Sequence, residues 1–162
     1  MADVKIAYGT ETTFTCSLAS LASSATAGRE STVVDNGTDK WMDAMVMLKV
    51  ALGAGTIAND RAVHVFAYGT VDTAGPTYPD AVTGADAAIT MNDPTQLKLL
   101  GSVFTPTQSL TYKGGPWSVA SLFGGMLPKK WGIVVRNYSG IALSSTEGNH
   151  AKLWIPVYNT VT

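Results

Sequence analysis

Residues 41–52, WMDAMVMLKVAL, are the longest unbroken apolar-rich run in the chain and restrict what it can fold into. Taken with period 2, Met42, Ala44, Val46, Leu48, Val50 and Leu52 are all apolar, whereas Trp41, Asp43, Met45, Met47, Lys49 and Ala51 are mixed. One face is built to be buried and the other is half-wet. Met, Ala, Leu and Lys also favour helices. Asp43 and Lys49, however, would lie on different sides of a helix and leave no polar stripe. The run is therefore expected to be a central β-strand with Val46 and Leu48 in the core.

The flanking chain breaks into further short strands. Residues 6–18 are rich in Thr and aromatics and read as one or two strands interrupted near Gly9, the first at a sheet edge. Residues 17–31, with small polar side chains, are expected to form a loop with room for one helical turn. Residues 31–35 are a short strand ended by the Asn36-Gly37 turn. Residues 62–68, AVHVFAY, suit a strand and are expected to be the antiparallel neighbour of the central one. Further strands are expected at 97–105, 110–113, 117–122, 130–138 and 151–157, with Pro156 confining the last to an edge or a bulge. About eight strands with irregular spacing, little helix and no internal repeat predict an all-β fold: an antiparallel two-sheet sandwich of jelly-roll type. The length, 162 residues, suits one such domain over 1–162.

Two segments stand apart from this core. The N-terminal arm, residues 1–9, alternates Val4, Ile6 and Tyr8 and can add as a strand to a neighbouring chain's sheet edge as readily as to its own. Residues 69–94 turn to Gly, Pro, Thr, Asp and Ala with almost no bulky aliphatics. A loop of that length in a compact domain is usually functional or ordered by a partner, and it is expected to dock on a partner rather than on its own domain. Val4, Ile6, Tyr8, Pro76, Tyr78 and Pro79 are therefore the candidate partner surface.

Charge argues in the same direction. Eleven basic against twelve acidic residues, with a pI near 6.0, give no footprint for nucleic acid or an anionic membrane. The charged fraction of 14% is well below the ~25% of ordinary soluble domains, so much of the surface is expected to be covered by partners. The N-terminal residues lack the basic and apolar regions of a signal peptide, and no run of apolar residues is long enough to span a bilayer. Synthesis in the cytoplasm and a soluble product are expected.

Catalytic signatures are lacking. The single Cys16 cannot form an internal disulfide and reads as a small buried apolar residue. His64 and His150 share no metal-like spacing with each other or with Cys16. Residues 35–39, DNGTD, lack the ligand spacing and terminal Glu of a calcium loop and read as a turn. There is no nucleophile elbow, phosphate loop or dinucleotide fingerprint. No enzyme, catalytic residue, metal or cofactor is expected. Trp41, Trp117, Trp131 and Trp154 sit in or at expected strands, where most would be core. Met42, Met45 and Met47 fill gaps or, on the half-exposed face, suit a subunit contact.

The run GRESTVVDNGTDKWMDAMVMLKV, the later LKLLGSVFT and the block LPKKWGIVVRNYSGIALSS resemble small β proteins of tailed bacteriophages, most strongly over 28–50 and 128–144. The matching features are Gly28-Arg29-Glu30-Ser31 leading into the strand that ends at Asp35-Asn36, and Lys130-Trp131-Gly132-Ile133 preceding the turn at 137–140. The resemblance implies a virion structural protein, a jelly-roll decoration or cement protein on the capsid surface. It would bind the major capsid protein and form a homo-oligomer, usually a trimer, with no catalytic residues, nucleic acid or membrane involved. Jelly rolls also serve as tail-tip parts, so a carbohydrate- or receptor-binding module of the tail is the alternative.

Overall fold

The central run resolves as a nine-residue strand in a computed structural model that describes residues 3–72 and 74–161. Eleven strands follow one another among the described residues: β1 (Val4–Tyr8), β2 (Thr12–Thr13), β3 (Ala27–Glu30), β4 (Val34–Asp35), β5 (Asp43–Ala51), β6 (Ala62–Thr70), β7 (Ala87–Thr90), β8 (Lys98–Phe104), β9 (Thr111–Ser118), β10 (Lys130–Tyr138) and β11 (Ala151–Val161). Helical structure among the described residues is confined to two 3-10 turns, Ala120–Phe123 and Glu147–Asn149, and no helix is long and apolar enough to cross a membrane.

The strands form two antiparallel sheets. The first runs β1-β11-β5-β9, with β2 also on β11; the second runs β7-β3-β10-β6-β8, with β4 also on β10. Because β1 and β2 share one edge of β11, and β3 and β4 one edge of β10, there are eight strand positions, four per sheet, plus the added β7. The chain passes repeatedly from one sheet to the other, and its last strand lies between the first and the fifth. This is jelly-roll connectivity.

The expected pairing of the central strand with residues 62–68 does not form. β5 lies between β11 and β9, while β6 lies between β10 and β8 in the opposite sheet. The physical reason is that both strands bury an alternating apolar face: Val46, Leu48 and Val50 from β5 meet Val63, Val65 and Ala67 from β6 across the sandwich. Two such faces bury more apolar area front to front than side by side. β11 is likewise an interior strand. Pro156 is tolerated because it falls where β11 changes partner from β1 to β2: its carbonyl accepts from the Gly9 N–H at 2.9 Å, and the missing donor costs only the return bond of that one pair.

The core between the sheets is aromatic at its centre. Trp131, fully buried, meets Phe14 edge-on at 5.5 Å and Trp154 at 5.4 Å, and Trp154 in turn meets Trp41 at 5.2 Å. Trp117 closes the open side between β8 and β9. Its ring fills the space where a Cβ on Gly101 or Gly114 would stand, so both strands need glycine there.

A second apolar cluster lies on the outer face of the second sheet. Phe66, Tyr68 and Val134 are roofed by Val82, Ile89, Met91 and Leu97. The described residues of 69–94 therefore pack without a partner, contrary to the expectation that they cannot. They carry β7, which pairs with β3, and they fold down on their own domain. Their aliphatics are few but placed where they count, and polar staples hold the rest. Glu30, 1% exposed, accepts from the Thr83 N–H at 2.9 Å, the Thr83 hydroxyl at 2.6 Å and the Gly84 N–H at 3.0 Å. Arg29 donates from Nε to the Asp86 carboxylate at 2.5 Å, and Ser17 adds two bonds to the same group. Asp80 accepts from Asn92, Thr95 and Gln96. Residues 17–31 likewise hold β3 and the buried Leu18 rather than loop alone.

Candidate functional site

The second sheet is covered on its outer face by the chain itself, and the first is not. Register fixes what the outer face of the first sheet presents. Ala44, Val46, Leu48 and Val50 of β5 point into the core, so Asp43, Met45, Met47 and Lys49 point out, opposite Val157, Ile155, Leu153 and Ala151 of β11. On the other side of β11, Val161, Asn159 and Val157 stand opposite Val4, Ile6 and Tyr8 of β1 on that same outer face. The result is an apolar strip from Val4 and Val161 through Ile6, Tyr8, Val157, Ile155 and Met45 to Met47 and Leu153. Val4, Ile6, Tyr8 and Val161 are 67, 72, 65 and 70% exposed. Asp43 sits at the edge of the strip, where its carboxylate accepts from the Ser118 hydroxyl at 2.6 Å and the Ala120 N–H at 2.8 Å. Lys49 and Lys113, directly opposite each other on β5 and β9, mark its far end.

Half of this strip belongs to a projecting arm. The β11–β5 ladder stops at the Val157–Asp43 pair, where β5 begins, while β11 and β1 run on together to Val161 and Val4. Beyond that point the sheet is a two-stranded ribbon, a structure that is marginal in water without a third strand or a covering layer. Its free hydrogen-bonding groups follow from one bond. Gly9 donates to the Pro156 carbonyl, so alternate residues Ala7 and Lys5 also face β11, and the N–H and C=O of Val4, Ile6 and Tyr8 point away from it. On the opposite edge of the ribbon, the Val157 carbonyl accepts from the Met42 N–H at 2.9 Å. The same-facing groups of Asn159 and Val161 lie past the end of β5 and, among the described residues, have no strand beside them. The gap there is flanked by two clefts, of about 420 Å³ on one side and about 290 Å³ on the other, both lined by Met42 and Asn159.

The two groups of sequence-derived surface residues thus separate. Val4, Ile6 and Tyr8 are together on the exposed arm; Met1 and Ala2 lie outside the described residues. Pro76, Tyr78 and Pro79 are half-buried, and Tyr78 stands edge-on to the fully buried Tyr68 at 5.4 Å. Tyr78 is therefore a packing residue of its own domain, and Thr73 of that loop lies outside the described residues. Missed from the sequence are residues 158–161, which extend the last strand past its expected end at Val157. A signal was present, since Val157 and Val161 keep the apolar period-2 series of Leu153 and Ile155, interrupted by Asn159.

Groups with chemical potential are held in structural roles. Burial pushes the Cys16 thiol up to about 12, with the nearby Asp86 carboxylate adding to the effect, which leaves it un-ionised and inert. His64 Nδ1 lies 2.8 Å from the Ser102 hydroxyl and Nε2 lies 3.3 Å from Asp60. His64 and Ser102 are directly opposite on paired strands β6 and β8, a cross-strand hydrogen bond on a sheet surface. Among the described residues no three His, Cys, Asp or Glu converge to hold a metal ion. Comparison with protein-family models, with curated proteins and with solved structures finds no match to this chain.

Proposed function

We propose that the chain is a non-enzymatic structural protein of a tailed-phage particle, decorating the capsid as a homo-oligomer, most simply a trimer, and contacting the major capsid protein. The observation that carries this reading is the asymmetry of the sandwich. One outer face is roofed by the chain's own residues 69–97, while the other is left apolar, weakly charged and extended into an uncovered arm. Exposed apolar strips of this kind mark protein–protein contacts. The low charge and the resemblance of the 28–50 and 128–144 blocks to phage decoration proteins supply the partner. Mixing the purified protein with expanded, undecorated phage capsids and pelleting the shells tests the proposal. Saturable co-sedimentation is expected, reduced at least tenfold by Met47→Glu. Failure to bind the shells, with adsorption to host cells instead, would contradict it.

A further inference from the structure

Among the described residues the arm carries two free edges, and they match. The outward N–H and C=O groups of Val4, Ile6 and Tyr8 on β1 form one, and those of Asn159 and Val161 on β11 form the other. We infer that these edges join between copies of this chain: β1 of one copy adds as a strand to the Asn159–Val161 edge of the next, head to tail. The inference rests on the assembly reading above and names the partner of the arm.

Three observations select a second copy as the occupant. The first is length and place. The open edge on β11 spans the two outward-facing residues beyond the end of β5, and β1 is a five-residue strand that presents three. Clefts on both faces of the gap leave room for an added strand and its side chains. The second is chemistry. An incoming strand brings alternating apolar side chains that extend the strip of Val157 and Val161, and its Lys5 enters a gap whose rim carries Asp39. The third is closure. Every copy owns one edge of each kind, so head-to-tail addition satisfies both in every copy and, where the rotation closes, leaves no edge free. Pairing β1 with β1 about a two-fold axis would satisfy one kind only.

Proline variants test this without disturbing the fold's own ladder. The N–H groups of Ile6 and Asn159 point away from the β1–β11 pair, so Ile6→Pro and Asn159→Pro each remove a donor only from an outward edge. Far-ultraviolet circular dichroism and tryptophan fluorescence establish that each variant is folded. In sedimentation velocity of the full chain, with no capsid present, the wild type should form a closed ring of three or more copies. Each variant alone should show at least about a tenfold weaker association. An equimolar mixture of the two should form a heterodimer and nothing larger, because each then supplies the edge the other has lost. The inference is overturned by a wild type that stays monomeric up to the concentration at which it coats shells, by a folded Ile6→Pro that assembles as well as wild type, or by Asn159→Pro that dimerises alone. Binding of monomeric protein to shells would keep the decoration reading while removing this one, and a ring that ignores shells would do the reverse.

Discussion

Leu48 shows how much a single side chain can be held to. It is 1% exposed between the sheets, and Leu48→Ala should cost about 2–5 kcal/mol in chemical denaturation; a loss under about 1 kcal/mol would mean that the site collapses around the missing atoms as a volume-conserving swap does. Asp86 and His64 are two of the residues that shape the pH profile. Burial opposes ionisation of Asp86, but hydrogen bonds from Arg29 and Ser17 outweigh it and hold the carboxyl down to about 2. The unfolded chain therefore takes up that proton first as pH falls below 3.8, and the stability Asp86 contributes at higher pH is lost between there and about 2. His64 is lowered from 6.5 by burial and by the charge of Arg136, against the pull of Asp60. Its unfolded form binds a proton first below 6.5, so stability should decline from that point downward. Melting temperature against pH should thus show a shallow fall starting near 6.5 and a steeper one below 4. His64→Gln should remove the first and Asp86→Asn should weaken the second, to which Asp80 and Glu147 also contribute, since hydrogen bonds outweigh burial and lower both. A shallow fall unchanged in His64→Gln would place its origin in another group.

At the scale of elements, the strands were legible and their partners were not. Period-2 alternation marks 41–52, 62–68 and 130–138 as strands because side-chain direction alternates whatever the neighbour is. Which sheet a strand joins depends on the total area buried by all of them, which no local window contains; hence the misplaced pairing of β5 with β6. The loop at 69–94 failed for a different reason. Its composition counts against burial, yet Val82, Ile89 and Met91 need only reach Phe66 and Tyr68, and Glu30, Arg29 and Asp80 hold the backbone between them. Arg29 and Glu30 are thereby the anchors to which this roof is fastened, through Asp86 and through Thr83 and Gly84. Replacing residues 74–80 by a Gly-Ser linker should accordingly destabilise the domain, and Tyr78→Ala alone should cost roughly 1–3 kcal/mol by uncovering Tyr68. Equal stability of the linker variant and the wild type in urea would return the loop to the role of a partner-ordered segment.

For the whole molecule, the arm is the part with most left to gain. The sandwich completes its core and roofs one sheet with its own chain, but β1 and the end of β11 stand beyond the fold with their apolar side chains in water. The alternation of Val4, Ile6 and Tyr8 was visible in the sequence; that the last strand runs beside it and leaves a second edge at Asn159 and Val161 was not, because the pairing joins residues at opposite ends of the chain. Amide hydrogen exchange, compared between protein diluted to low concentration and protein bound to capsids, reads this surface directly. We expect the amides of Val4, Ile6, Tyr8, Asn159 and Val161 to exchange freely in the diluted protein and to be slowed at least a hundredfold, by the order of two broken-and-remade backbone hydrogen bonds, on the particle. Equal protection of these amides in both states would contradict the assignment of the arm as the surface through which the protein assembles.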